Sequence, residues 1–249
     1  MMTPGRCLKY GSLFLLILSG NSQAAEITPK EILHQADQAR GNVTGISWPI
    51  TLQTSGWRNN KSMEFEVHGR GFDVHAKTLK PARSKGDLLL MVKGNMWFYK
   101  PGLSKPIPIS RRQKLIGDAA FGDIAATNYA EDYDVIDVES QMLEGVPCHV
   151  FQLRSANKRT TYDSIKYWVE KERLLGIKAE YMTVSGKLFK TATMQYEQQV
   201  QQEGEQRPFL SSIRIKNELI DQHITWLHFG VADIKPLADA VFNLNLLRK

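Results

Sequence analysis

Four groups of residues carry the side chains that catalysis or metal binding would require. Gly69-Arg70-Gly71-Phe72-Asp73-Val74 opens like a dinucleotide fingerprint. It lacks the third glycine and the following helix that would bring backbone amides to a pyrophosphate. His68 and His75 face each other across the same turn and offer two metal ligands. No third ligand stands at suitable spacing, and Asp73 is expected on the opposite face, so the pair reads as a polar cross-strand contact. Asp132, Asp134, Asp137 and Glu139 crowd one strand but alternate in direction. Paired acid–base work needs carboxylates that converge, whereas solvated charges on a strand discourage edge-to-edge pairing. Cys148 lies between Val146 and Val150 with His149 directed the other way, which suits a buried thiol rather than a Cys–His nucleophile. No G-x-S-x-G string occurs. The expectation is a protein that is not an enzyme and uses no cofactor and no metal.

The composition is that of an ordinary globular chain: of 249 residues, 42% are hydrophobic and 23% charged. Residues 1–24 read as a cleavable signal peptide. Arg6 and Lys9 precede the apolar run Leu13–Leu18, and Ser22-Gln23-Ala24 supplies the small-residue cleavage site. That run is too short to span a bilayer. Cys7 precedes it and is lost on cleavage, so the exported chain is not lipid-anchored and keeps Cys148 without a disulfide partner. The net charge falls from +6 to +4 with the loss of Arg6 and Lys9. With no basic cluster and an exported chain, nucleic acid is excluded as a partner.

Residues 25–249 read as one domain. Thr28-Pro29-Lys30-Glu31 is a helix start, Ile32, Leu33, Ala36 and Ala39 recur at helical spacing, and Gly41 ends the helix. From Ile46 the period becomes two. Strands are predicted over 46–55, 62–70, 73–80, 133–139, 147–155, 162–170, 176–184, 187–196, 209–217 and 222–229, with a last short helix or strand in the tail. Many short strands with no intervening helix indicate an antiparallel meander curling toward a barrel. Between Arg111 and Ala130 the pattern changes to small apolar residues broken by Gly117 and Gly122. A helix start at Ser110-Arg111-Arg112-Gln113 and loosely made helical turns lying over the sheet are expected there, a lid spanning 111–130.

The stretch Pro81–Ser110 is the most informative. Asp87–Val92 and Met96–Tyr99 flank Lys93-Gly94-Asn95, a hairpin signal, and both faces of the hairpin are apolar. Such a hairpin is covered on both sides or lines a cavity. Five tryptophans (Trp48, Trp57, Trp97, Trp168, Trp226) and five methionines (Met63, Met91, Met96, Met182, Met194) are spread over the strands. Pattern leaves two accounts of them open: a filled core, or an open half-barrel whose concave face they line.

The string K-G-D-x-L-L…N-M-W-F-Y-x-P…K-P-I-P-I-S, then Gly117, Phe121-Gly122-Asp123-Ile124 and Asp132-Tyr133, resembles the LolA-like outer-membrane lipoprotein-sorting proteins. Trp168-Val169-Glu170-Lys171, Ile177–Tyr181 and Ser185-Gly186-Lys187 continue the resemblance in order. It implies a mainly β fold with helical cover: a strongly curved antiparallel sheet forming an incomplete β-barrel closed by a helical lid. It also implies a monomeric periplasmic carrier without cofactor, which binds acyl chains of lipoproteins or related lipids for transfer toward the outer membrane. Partners would be an inner-membrane transporter and an outer-membrane acceptor. On that reading Met63, Phe65, Leu90, Trp97, Tyr99, Phe121, Ile124 and Trp168 are the candidate lining or lid residues. The rival expectation is an accessory of an RND-type inner-membrane exporter whose concave face binds protein and carries no lipid.

Overall fold

A computed structural model describes residues 27–125, 128–202 and 204–246. The expected signal segment, residues 1–24, lies outside the described residues. Helix α1 (Pro29–Gln38) begins where Thr28 Oγ1 accepts from the Glu31 N–H, and it buries Ile32, Leu33 and Ala36. Strands β1 (Ile46–Ser55), β2 (Ser62–Arg70) and β3 (Asp73–Lys80) follow, then β4 (Leu88–Val92), β5 (Asn95–Tyr99) and β6 (Ile107–Ile109). Lys93 and Gly94 take the left-handed backbone that a two-residue hairpin turn needs.

The next segment differs from the helical expectation. Ser110 N–H does donate to Gln113 Oε1, as in a capping box, but no helix follows. Gly117, at φ 56°, turns the chain into a short strand pair, β7 (Lys114–Ile116) and β8 (Ala119–Ala120). Only then come two brief helices, α2 (Phe121–Ala125) and α3 (Tyr129–Asp132).

The remaining strands are β9 (Tyr133–Leu143), β10 (Val146–Ser155), β11 (Ser164–Glu170), β12 (Gly176–Met182), β13 (Leu188–Gln195), β14 (Gln198–Gln202), β15 (Glu205–Phe209), β16 (Ser212–Asn217), β17 (Ile224–Phe229) and β18 (Asp233–Ile234). One sheet runs β6-β5-β4-β3-β2-β1-β17-β16-β13-β12-β11-β10-β9, with β18 also on β1. Every pairing is antiparallel. β1 joins the early and late halves, so β6 and β9 remain as edges and the barrel is incomplete. Both edges resist further pairing: Pro106 and Pro108 flank or interrupt β6, and Asp134, Asp137 and Glu139 are exposed on β9.

Strand alternation sets the two faces. Ile46, Trp48, Ile50 and Leu52 of β1 point inward with Phe65, Val67, Leu89, Met91, Phe151, Ile215 and Leu227. Burying each large apolar side chain contributes about 1.5–3 kcal/mol. On the outside, Leu90 packs beneath Phe242 with Leu88, Val92, Tyr99 and Leu237, so the C-terminal tail covers the other face of the hairpin.

Two polar expectations need correction. Asp73 shares its face with His75, two residues on, and lies 3.5 Å from Arg70. The His68 and His75 rings stack at 5.9 Å as a cross-strand pair. Asp132 is not a solvated edge charge: it is buried and paired with Arg111.

Candidate functional site

The described residues of 110–125 and 128–132 lie in sequence between the edge strands β6 and β9 and, with α1, pack Ile116, Ala119, Ile124 and Tyr129 onto the concave face as its cover. Small residues let the segment lie close. A Cβ on Gly122 would stand 2.0 Å from Thr161 Oγ1, and one on Gly117 would stand 2.3 Å from Thr225 Oγ1. The attachments are polar and discrete. Asp118 N–H donates to Thr225 Oγ1 at 2.9 Å, and Asn217 Nδ2 donates to Asp118 Oδ1 at 2.8 Å. Tyr162 OH donates to Asp123 Oδ1 at 2.7 Å, and Arg112 Nε donates to the Thr160 carbonyl at 2.9 Å. Within the cover, Arg111 holds Asp132 through two bonds of 2.7 and 3.3 Å.

Beneath the cover lies a polar centre that periodicity did not reveal. Asp37, fully buried on α1, accepts from the Ala130 N–H at 2.9 Å. Burial pushes its carboxyl up to about 7, against the opposing pull of Arg40. Arg40 is itself buried, its guanidinium 4.3 Å from the Tyr129 ring centre and 3.9 Å from Asp37 Oδ1. Around them Tyr129 packs edge-on against Tyr133 and Tyr167, and Tyr162 stacks on Tyr181 at 3.8 Å. Tyr129 and Tyr181 share a 3.2 Å hydrogen bond through their hydroxyls.

The interior between sheet and cover is filled. The space enclosed by Arg40, Asp123, Tyr162, Tyr181, Ile213 and their neighbours amounts to about 10 Å³. That is room for about one water. The half-barrel is therefore incomplete, as expected, but not vacant: tyrosines and the cover occupy its centre. Outside the rim, an open groove of about 570 Å³ runs between Arg112 and Ala120 of the cover and Met182, Val184, Phe189 and Lys190 of the β12–β13 hairpin.

The eight residues expected to line the site divide by face. Phe65 and Ile124 are buried in the main interior, and Met63 and Phe121 pack against it. Leu90 and Tyr99 belong to the outer cluster under the C-terminal tail. Trp97 pairs with Leu90 across the hairpin and shares that outer face, because Leu89, Met91 and Met96 take the inner positions. Trp168 lies in another outer cluster with Cys148 and Val150, flanked by Lys178 and Lys166 at 4.5 and 5.1 Å. Burial pushes the Cys148 thiol up. Of the five tryptophans only Trp48 is in the main core, whereas Met91, Met96 and Met194 are all there.

A family model described as "Uncharacterized protein" matches residues 74–249. Among solved structures the chain is similar to a LolA superfamily protein from Nitrosomonas europaea, at 26% identity and a TM-score of 0.78. That match covers 88% of this chain and 99% of the other. It is similar in fold to a DUF1329 family protein from Desulfovibrio piger, at 19% identity, TM-score 0.72, and coverage of 88% and 97%. A lipoprotein-sorting domain of outer-membrane type from Vibrio parahaemolyticus gives 16%, 0.74, and coverage of 88% and 98%. No curated protein matches the sequence.

Proposed function

The chain belongs to the LolA-like family, and from that premise we propose a periplasmic carrier that takes acyl chains of lipoproteins or related lipids between the concave sheet face and the cover. The observation that carries this reading is the construction of the cover. It is a separate segment of small residues, fastened by a few side-chain hydrogen bonds over a sheet face rich in Ile, Leu, Phe and Met. Because the interior is filled, acyl chains enter only as the cover lifts, and Met63, Phe65, Phe121 and Ile124 are the side chains they meet. The driving force is burial of methylenes, about 0.8 kcal/mol each. Delivery then needs a difference in affinity between donor, carrier and acceptor, not a chemical step. Among the described residues no helix is long and apolar enough to cross a membrane. Export by a signal peptide over residues 1–24 belongs to the same proposal.

The filled interior favours a second reading, an accessory of an inner-membrane exporter that binds protein and carries no lipid. A reversible lock separates the two. A Cβ at Gly117 falls 3.4 Å from Thr225 Cβ, close to disulfide reach. The variant Gly117→Cys/Thr225→Cys, oxidised, loses uptake of a fluorescent acyl probe and regains it with reductant if the cover must lift. Equal uptake in both redox states overturns the carrier with a moving cover, and no uptake in either, nor by the unaltered protein, favours the accessory.

A further inference from the structure

We propose that Arg40 is a headgroup anchor, so that the acyl chain taken up ends in an anionic group, a carboxylate or phosphate. The inference rests on the carrier reading and names the chemistry of its ligand.

Arg40 is 4% exposed, yet its Nε and Nη1 have no hydrogen-bond partner. The nearest carboxylate oxygen, Asp37 Oδ1, is 3.9 Å away and is itself unbonded, as is the hydroxyl of Tyr167. Desolvating a guanidinium is costly, and a residue kept only for packing would be aliphatic. Buried polar groups are almost always satisfied, so an unsatisfied guanidinium bordering the enclosed space, with Asp37 and Tyr167 also unsatisfied nearby, points to a missing partner. Donors are in excess at Arg40, and a guanidinium fork matches an oxyanion.

The fastening of the chain shows what remains when the cover moves. The Leu210 N–H donates to the Ala39 carbonyl and the Gly71 N–H to the Val43 carbonyl, so the segment bearing Arg40 is tied to the sheet. Asp123 and Asp132, the carboxylates that border the same space, sit on the cover, as does Tyr129. Lifting the cover removes Asp123, Asp132 with its partner Arg111, and the ring stacked on the Arg40 guanidinium. It leaves Arg40 beside Tyr162, Tyr167 and Tyr181 of the sheet side, with Ile213 and Ile215 at the start of the apolar wall. Asp37 stays, but loses the Ala130 N–H that favours its charged form. The closed state has no room for an anion and the open state presents Arg40 to one, and the acyl chain follows along the concave face.

The test compares amphiphiles of equal length. The purified chain from residue 25 onward is titrated with palmitate, hexadecanol and inorganic phosphate, by displacement of a fluorescent acyl probe. Palmitate is expected to bind at least ten-fold tighter than hexadecanol, with no binding of phosphate alone. Arg40→Met is expected to bring the palmitate-to-hexadecanol ratio to about one. Equal affinities in the unaltered protein, a preserved ratio in the variant, or phosphate competing as well as palmitate each overturn the anchor. Binding of neither amphiphile overturns the carrier reading itself. If Arg40→Met does not fold, arginine modification of the unaltered protein by phenylglyoxal decides the matter. Palmitate is expected to protect Arg40 and hexadecanol to leave it reactive, and equal protection by the two overturns the proposal.

Discussion

The Asp37 carboxylate of the first helix accepts a 2.9 Å hydrogen bond from the backbone N–H of Ala130, joining the two pieces of the cover to each other at full burial. One acid thus reports on whether helix and cover are in register.

Asp37 makes the fold depend on pH in a stated direction. Its folded value, about 7, lies above the unfolded carboxylate range near 3.9, because burial disfavours the charge more than Arg40 favours it. Between those values the folded protein holds a proton that the unfolded chain has lost. Stability from this group is therefore full below about pH 4 and falls as pH rises toward 7, by up to about 1.4 kcal/mol per pH unit. Asp37→Asn keeps an acceptor for Ala130 and removes the titration. Urea unfolding of the two proteins at a series of pH values checks this. The difference in stability is expected to slope across pH 4–7 and to level off above it, and a flat difference overturns the assignment.

The Arg111–Asp132 pair is a different kind of contact, two bonds between side chains both nearly without solvent. Arg111→Met strands a buried carboxylate and is expected to cost about 3–5 kcal/mol. Arg111→Met with Asp132→Leu is expected to recover most of that, since removing both charges removes the desolvation cost as well. A double-mutant cycle from urea midpoints measures the coupling. Additive losses would mean that the two charges act independently.

Much of this architecture was legible in the chain. β1, β2 and β3 fall at the expected boundaries because their apolar residues alternate and glycine punctuates the turns. The β14–β15 pair was not legible: Gln198–Gln202 and Glu205–Phe209 carry little but Val200 and Phe209 to alternate. The assignment of faces was out of reach for the tryptophans, since a hairpin apolar on both sides does not say which side curves inward. Leu90 and Leu89 differ by one position and end in separate clusters. The polar centre did leave a signal. Asp37 stands four residues after Leu33, on the buried stripe of α1, and Arg40 three residues further on. A charged pair on an apolar stripe is the mark that spacing offered.

Gly122 tests how closely the cover must lie. A Cβ there would meet Thr161 at 2.0 Å from its hydroxyl oxygen and 3.0 Å from its Cβ, and Thr161 is buried. Gly122→Ala is expected to cost about 1–3 kcal/mol, as overpacking does. The strain falls on the cover rather than on the hydrogen-bonded strand β11 beyond Thr161. Hydrogen exchange should quicken across 110–132 while β1 and β2 stay protected. Adding Thr161→Ala removes the nearer clash and restores part of the protection. Uniform loss across the sheet would show that the cover is not a separable unit.

Phe242 separates the outer face from the interior. It is buried against Leu90 by the tail, with the Arg70 guanidinium 4.6 Å from its ring and Asp239 bonded to Arg70 at 2.6 Å. Phe242→Ala empties that contact and is expected to cost about 3 kcal/mol, the low end for a buried phenylalanine, because the tail frays instead of leaving a sealed cavity. Limited proteolysis should then release residues beyond Leu237. Acyl uptake should persist, since Leu90, Tyr99 and Phe242 stand on the convex side while Phe65 of the sheet and Ile124 of the cover lie in the interior. Ile124→Asp is the matched change inside, and there the loss of uptake should exceed the loss of stability. If Phe242→Ala abolishes uptake at a temperature where the sheet is intact by circular dichroism, the ligand uses the outer face, and the tail rather than the 110–132 segment is its cover.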